Sequence, residues 1–136
     1  MSSYMNSDNE MWSSHGPNTS PNPYTINKKS SDIKHPAAVG AIVFTEEVQW
    51  SIDDGQFADV PSGLPAAAAY NSWWNIPQMN HRGSDFSFAD GHVEYRKWVD
   101  GSTLSLANYT GTGGPYTDNS TDHSDLRWVQ NGMATQ

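Results

Sequence analysis

The 136-residue chain contains no cysteine, so neither a disulfide bond nor a thiol contributes to its fold or its chemistry. It has no run of about 20 apolar residues, the length that a membrane-spanning helix requires. Basic residues are also scarce, since 7 Lys and Arg stand against 15 Asp and Glu, a formal net charge of −8. That charge repels polyanions and disfavours nucleic-acid binding. A divalent cation, a neutral glycan or a basic protein surface suits it better.

Apolar residues make up only 35% of the chain, which suits one modest core in a single domain spanning residues 1–136. Six Trp, six Tyr and four Phe must supply much of that core, because each buried aromatic ring removes roughly 150–250 Å² from water. Ser, Asn, Thr and Gly are plentiful, and they favour loops and short strands over helices. We therefore expect an α+β fold with a small antiparallel sheet, few short helices and long irregular loops.

Local patterns assign these elements along the chain. Residues 1–31 are polar and interrupted by Pro, which predicts an irregular N-terminal segment. The apolar run at 37–48 predicts a central strand, and the Gly- and Thr-rich segment at 101–122 predicts a surface loop. A last helix is expected over 122–130, because Leu126 and Val129 then lie on one face.

The strongest local signal is the segment HRGSDFSFADGHVEYRKW at His81–Trp98. Apolar residues recur at a period of two on either side of Asp90-Gly91, the residue types that a tight hairpin turn requires. The alternating residues are Phe86, Phe88, Val93 and Tyr95. The sequence therefore predicts a C-terminal β-hairpin whose two arms seal an aromatic-lined sheet.

This segment resembles the signature of bacterial prepilin-like proteins, the type II secretion and type IV pilin-like family of planctomycete and verrucomicrobial kind. Their hallmark is a His followed after nine residues by Asp-Gly in a "FADGH" hairpin, whereas eight residues separate His81 from Asp90 here. Further fragments agree in the same order: SYMNSD, SDIKHPA, SIDDGQF, the W-x-x-P of residues 74–77, and DLRWVQ. The resemblance spans Ser3 to Gln130.

The resemblance implies a pseudopilin-like globular head, whose antiparallel sheet packs against a long apolar N-terminal helix. Family members begin with a cleavable leader and that helix. This chain shows neither, so we expect an isolated head. A sheet face left without its helix should drive self-association or be covered by the first residues, and we expect a homo-oligomer. The expected location is outside the bacterial cell or on its surface, and the expected role is assembly or secretion through protein contacts.

An acidic group around the predicted central strand is one candidate metal site. Its members are Glu46, Glu47, Asp53, Asp54 and Asp59. Such hard oxygen ligands suit Ca²⁺, and the resemblance points the same way, since related pseudopilin heads bind calcium in a C-terminal loop. The spacing does not match an EF-hand, so solvated turn carboxylates remain the alternative.

His81, Asp90 and His92 form a second candidate site around the hairpin. Imidazole and carboxylate groups together can hold zinc or another transition metal ion. The alternative is structural: His81 hydrogen-bonds the Asp-Gly turn and holds the loop, since Asp at a turn commonly caps its own backbone.

Paired carboxylates beside exposed Trp side chains can also hydrolyse a glycosidic bond, one acting as acid and the other as base or nucleophile. The candidate catalytic residues are Glu46, Glu47, Asp54, Glu94 and His81, and the candidate ligand-binding residues are Trp50, Trp73, Trp74 and Arg82. The Trp residues serve equally well as core. A glycoside hydrolase or a glycan-binding module is therefore the alternative to a pseudopilin-like head that works through protein contacts.

Overall fold

The computed structural model describes residues 30–34, 36–52, 57, 59, 71–109 and 116–133. Its strands are β1 (Ile42–Thr45), β2 (Ser72–Trp73), β3 (Gly83–Phe88), β4 (Val93–Lys97) and β5 (Tyr116–Thr117), and its helices are α1 (Gly101–Ser105) and α2 (Ser124–Gly132). Single 3-10 turns lie at Ser30–Asp32, Asn80–Arg82 and Leu106–Asn108. This is the small α+β arrangement expected from the sequence. Within the described ranges, no helix combines the length and apolar character needed to cross a bilayer.

The main sheet has three antiparallel strands in the order β1-β3-β4, and β2 pairs with β5 in a separate two-stranded sheet. The predicted hairpin is confirmed, since β3 pairs with β4 from Gly83↔Lys97 to Ser87↔Val93. The apolar run at 37–48 is not the central strand that its composition predicted. It yields only the short edge strand β1, because three residues before it form a turn and its pairing with β3 shifts between Ile42 and Phe44.

The turn of the hairpin contains three residues rather than two. The Phe88 N–H donates to the His92 carbonyl at 3.0 Å, and the Gly91 N–H donates to the Phe88 carbonyl at 2.9 Å. Gly91 adopts a φ of 95°, which L-residues with a Cβ rarely tolerate. A three-residue loop with its last residue in the left-handed region is a common hairpin closure, and it explains the glycine at this position.

One face of the main sheet, called here the inner face, packs against α2. Phe86 and Phe88 point to this side, as their period of two predicted, and both are buried. Trp128 of α2 lies edge-on to Phe86 with ring centroids 4.9 Å apart, and Trp98 also lies edge-on to Phe86 at 5.9 Å. Leu126 is buried in the same cluster. Aromatic contacts thus build the core, in agreement with the composition.

A reciprocal pair of aspartates joins the end of β4 to α2. The Asp125 carboxylate accepts hydrogen bonds from the Val99 and Asp100 N–H groups, both at 2.8 Å. In return, the Asp100 carboxylate accepts from the Asp125 N–H at 2.7 Å and from the Ser124 hydroxyl at 2.8 Å. Asp125 is fully buried and also accepts from Arg96 at 3.2 Å. Both carboxylates therefore satisfy backbone donors that the fold removes from water.

The segment 101–122, for which a surface loop was predicted, contains regular structure in part of its described residues. Residues 101–108 form α1 and a 3-10 turn, and Tyr116 pairs with Trp73 in the small sheet. Thr103, Leu106 and Tyr116 are buried. A few apolar side chains in register with neighbouring elements outweigh the polar average of the segment, because burial depends on position rather than on mean composition.

Candidate functional site

The outer face of the main sheet, opposite α2, carries exposed apolar side chains. Phe44 is 54% exposed, Val93 is 67% exposed and Tyr95 is 50% exposed. Phe44 and Val93 both pair with Ser87 of the central strand, so they lie in one row across the sheet. The solvent-facing side of a sheet usually carries polar residues at such positions. The exposure of Val93 and Tyr95 contradicts the expectation that they seal the core, because the β4 residues on the inner side are Glu94 and Arg96.

Tyr95 is held in place on this outer face. Its hydroxyl donates to the His81 carbonyl at 2.9 Å. Its ring lies over Gly83, where a Cβ would collide with the tyrosine ring and with the Arg96 carbonyl. Gly83 is thus required by the close approach of a side chain. The exposed aromatic surface is presented in a fixed conformation, which reduces the entropy that a binding partner must remove.

A shallow hollow on the outer face is lined by Phe44, Thr45, Glu46, Asp85, Ser87 and Val93, with a contribution from Phe86. Glu46 and Asp85 are both exposed. The face therefore combines apolar side chains with carboxylates. This chemistry complements an apolar surface that also carries basic residues, in agreement with the net charge of −8.

The hairpin corner contains an imidazole–carboxylate pair. The Asp90 carboxylate lies 2.6 Å from Nδ1 of His92 and also accepts from the His92 N–H at 3.1 Å. The hydrogen bond from the His92 side chain, followed by that from its backbone, holds the pKa of Asp90 below its ordinary value. The His92 ring stacks on Phe88 with centroids 4.3 Å apart. These contacts explain the pair as a structural feature of the turn.

His81 does not join this pair, so the predicted His81–Asp90–His92 cluster is wrong. His81 precedes the first residue of β3, whereas Asp90 follows its last residue. Six residues of extended strand separate the two ends of β3 by about 20 Å, at about 3.3 Å per residue. His81 also cannot hydrogen-bond the Asp-Gly turn from there. Its backbone has a φ of 54°, and its carbonyl receives the Tyr95 hydroxyl.

Among the described residues, no group of three or more His, Cys, Asp or Glu side chains is arranged to hold a metal ion. Asp53 and Asp54 lie outside the described residues, so the acidic site that includes them stays a prediction. Asp90, another predicted metal ligand, is hydrogen-bonded to the backbone N–H and the side chain of His92. Asp59 is buried.

The predicted catalytic carboxylates have separate surroundings. Glu47 accepts from the Ser51 hydroxyl at 2.6 Å and from the Asn75 amide at 2.9 Å, both of which hold the turn that follows β1. Glu46 is exposed on the outer side of the sheet, and Glu94 is exposed on β4. Neighbouring residues of an extended chain point to opposite sides, so Glu46 and Glu47 do not converge as an acid and a base.

The predicted ligand-binding residues divide into buried and accessible positions. Trp73 is 0% exposed and packs edge-on to Trp98 at 6.2 Å, so its assignment to a sugar-stacking surface is wrong. Trp50 and Trp74 are half-buried, and Arg82 is exposed. Trp50 forms an aromatic group with Tyr109 and Tyr116, each with its ring centroid 5.1 Å from that of Trp50.

A buried aspartate–histidine pair precedes α2, and sequence reasoning did not identify it. The Asp118 carboxylate lies 3.0 Å from Nδ1 of His123 and accepts from the Ser120 N–H at 2.9 Å and from the Ser102 hydroxyl. Burial acts to raise the pKa of Asp118, but hydrogen bonds from Ser102, Ser120 and His123 outweigh it and hold the pKa below its ordinary value. The Asp-x-Ser sequence of an Asx turn was the available signal.

This pair is arranged to fix a loop. The Ser120 hydroxyl donates to Asp118 at 3.0 Å and accepts from the His123 N–H at 3.0 Å, so it lies on the Nδ1 side of the imidazole. A nucleophile activated by His123 would have to lie at the opposite ring nitrogen. His123 itself has a φ of 53° immediately before α2. The carboxylate therefore stabilises an otherwise strained helix entrance.

Comparison with known proteins gives no match to a family model, to a curated protein or to a solved structure.

Proposed function

We propose that this chain is a pilin-like globular head that acts in bacterial surface assembly or secretion, outside the cell, through contacts with other proteins. The observation that carries the proposal is the outer face of the sheet, where Phe44, Val93 and Tyr95 stay exposed while α2 covers the inner face. The family resemblance of the hairpin segment supports the same conclusion. The α+β fold with a C-terminal hairpin is compatible with it.

The outer face has the character of a modest docking surface. Phe44 and Tyr95 are each about half exposed, and an aromatic side chain offers roughly 150–250 Å², so together they present on the order of 200 Å² of mainly apolar surface. Apolar patches rimmed by polar residues mark interaction sites when they reach several hundred Å², so this face is a small docking surface whose charge carries part of the recognition. Glu46 and Asp85 supply that surrounding charge. The proposed partner is a protein with an apolar, basic surface, which complements the carboxylates of this face and the net charge of −8.

Site-specific photo-crosslinking tests the proposal in cells that produce the protein. A photoreactive amino acid replaces Phe44 on the outer face, and the matched control replaces Val39, which is 62% exposed but does not line the hollow on that face. We expect a discrete cross-linked protein, identified by mass spectrometry as an assembly or secretion component, from position 44 alone. Equal cross-linking from both positions, or none from position 44, contradicts the proposal.

Glycan binding is the second candidate, because Trp50 and Tyr109 form an aromatic pair at the surface. Tyr109 is 39% exposed and its ring is tilted by 42° from that of Trp50. Aromatic faces of this kind stack on sugar rings. A glycan-array screen of the purified protein and of Trp50→Ala separates the two functions. Binding that disappears in Trp50→Ala favours the glycan-binding module, whereas no glycan binding together with cross-linking from position 44 favours the protein-binding head.

A further inference from the structure

The outer edge of β4 carries backbone groups that the sheet does not use. Pairing with β3 engages alternate residues of β4: the His92 carbonyl accepts from Phe88, and the Trp98 N–H donates to Arg82 at 2.8 Å. Between these two hydrogen bonds, the even-numbered residues of β4 therefore direct their backbone N–H and carbonyl groups toward β3. Val93, Tyr95 and Lys97 direct their N–H and carbonyl groups to the opposite edge. All three residues are exposed.

Neighbouring segments engage other parts of the sheet edges. Val99, the next residue with its N–H on the outer edge, already donates to Asp125 of α2 at 2.8 Å. At the opposite edge of the sheet, the chain that follows β1 bonds to the segment around Pro77, since the Gln78 N–H donates to the Glu46 carbonyl at 2.8 Å. A bulge also interrupts β1. Such features block edge pairing. Val93–Lys97 is thus an edge of the described sheet whose outward N–H and carbonyl groups strand pairing leaves available.

We propose that two copies of this chain pair antiparallel through the outer edges of β4, about a two-fold axis at Tyr95. In this register Val93 lies opposite the second copy's Lys97, and Tyr95 lies opposite itself. The three outward-facing residues then exchange about six backbone hydrogen bonds. The two three-stranded sheets merge into one sheet with the order β1-β3-β4-β4-β3-β1.

Charge selects both the partner and the register. In the register centred on Tyr95, Glu94 of each copy lies directly opposite Arg96 of the other, as a non-hydrogen-bonded pair in which side chains approach closest. A shift by two residues in one direction sets Glu94 opposite Glu94, and a shift in the other direction sets Arg96 opposite Arg96. Like charges directly opposite each other destabilise a pair of strands. Arg96 donates to Asp125 through one amino group, and its guanidinium has further donors for a second carboxylate.

The inference does not rest on the proposed function, because it uses the backbone edge of β4 and not the apolar outer face. The net charge of −8 opposes the approach of two copies. At physiological ionic strength, where the screening length is about 8 Å, that repulsion is largely removed and the close Glu94–Arg96 pairs persist. The dimer should therefore be observed in buffers of physiological salt.

Sedimentation equilibrium of the full chain, from low micromolar to millimolar concentration, tests the pairing. Lys97→Pro removes an outward N–H without removing a bond to β3, and proline is tolerated at such an edge position. We expect it to weaken dimerisation by on the order of tenfold or more, whereas the control Lys97→Gln keeps the N–H and should stay within about threefold of wild type. Glu94→Lys, which sets Lys opposite Arg96, should also weaken the dimer.

Amide hydrogen exchange supplies the second measurement, which does not depend on a variant. The amides of Val93, Tyr95 and Lys97 should gain protection as the protein concentration rises, while those of Glu94 and Arg96 are protected at every concentration. A chain that stays monomeric at all concentrations overturns the inference. So does a dimer that Lys97→Pro leaves unchanged, or a protection gain without this alternation.

Discussion

Replacement of Asp125 by Ala should destabilise the protein more than any other single loss of a carboxylate at the junction of β4 and α2. The fully buried Asp125 side chain accepts from the N–H groups of Val99 and Asp100 and from the guanidinium of Arg96. Alanine removes all three acceptor contacts at once. The Asp100 N–H then remains buried without an acceptor, and Arg96 loses its carboxylate partner.

The expected loss follows from these contacts. Removal of one member of a buried charged pair costs about 3–5 kcal/mol, because the remaining charge and donors stay desolvated without a partner. Asp125→Asn keeps one carbonyl oxygen for the backbone donors but loses the charge, and its cost should be about 1–2 kcal/mol. A domain of this size has a total stability of about 5–15 kcal/mol, so Asp125→Ala removes a large fraction of it.

Urea denaturation followed by far-ultraviolet circular dichroism measures both losses. Asp122→Asn is the matched control, since Asp122 is exposed shortly before the same helix, and it should leave the free energy of unfolding within about 0.5 kcal/mol of wild type. If Asp125→Ala lowers the free energy of unfolding by less than about 1 kcal/mol, the reciprocal aspartate pair does not hold α2 against the sheet and the reasoning fails.

Three further variants test other features by the same denaturation assay. A Cβ added at Gly91 or at Gly101 would meet no other atom, so the two positions differ only in backbone conformation. Gly91→Ala should cost about 1 kcal/mol because φ is 95° there, whereas Gly101→Ala should be neutral or stabilising. Equal effects would contradict the assigned strain. The pKa of Asp118 lies below its ordinary 3.8, so the stabilisation it provides is complete above that pH and is lost as the pH falls toward the folded-state pKa. The advantage of wild type over Asp118→Asn should therefore shrink on acidification, and an unchanged difference would refute this. Gly132→Ala should cost about 1–3 kcal/mol, because its Cβ would collide with Ile42, whose Cγ1 would be 2.7 Å away. Ile42→Val should relieve part of that cost, and strict additivity of the two changes would argue against the contact.

The hairpin was predictable because its signals are local. Alternation on both sides of Asp90-Gly91 fixes the two arms and the inner position of Phe86 and Phe88, and the structure confirms both. The length of the turn was not predictable in the same way. Two- and three-residue loops both accept a glycine with positive φ, and the choice between them depends on which residues exchange the last hydrogen bonds of the ladder.

The position of a strand within its sheet depends on distant residues. The run at 37–48 is apolar enough for a central strand, yet β1 lies at the edge, because β3 pairs with it on one side and with β4 on the other. The faces of Val93 and Tyr95 depend on the length of the turn. A two-residue turn would set Val93 opposite Phe88, whereas the three-residue turn sets it opposite Ser87, and this shift by one residue moves Val93 and Tyr95 to the outer face.

Candidate sites were the least predictable, because they depend on the path that the chain takes between their side chains. His81 and Asp90 are close in sequence, but an extended strand between them keeps them apart. Asp118 and His123 are brought together by a tight turn that composition alone presents as an unstructured polar segment. Asp100 and Asp125 meet only because α2 returns to the end of β4, and no local pattern encodes that return.

The contact between Gly132 and Ile42 has a consequence for synthesis of the protein on the ribosome. The last turn of α2 closes against the first strand of the sheet, so residues 83–97 can form their hairpin long before the helix that covers it emerges. Until then Phe86 and Phe88 remain in water on a nascent chain, where unprotected apolar strands tend to aggregate. A ribosome that stalls before Leu126 should therefore leave a product that chaperones bind and proteases remove, whatever the stability of the finished domain.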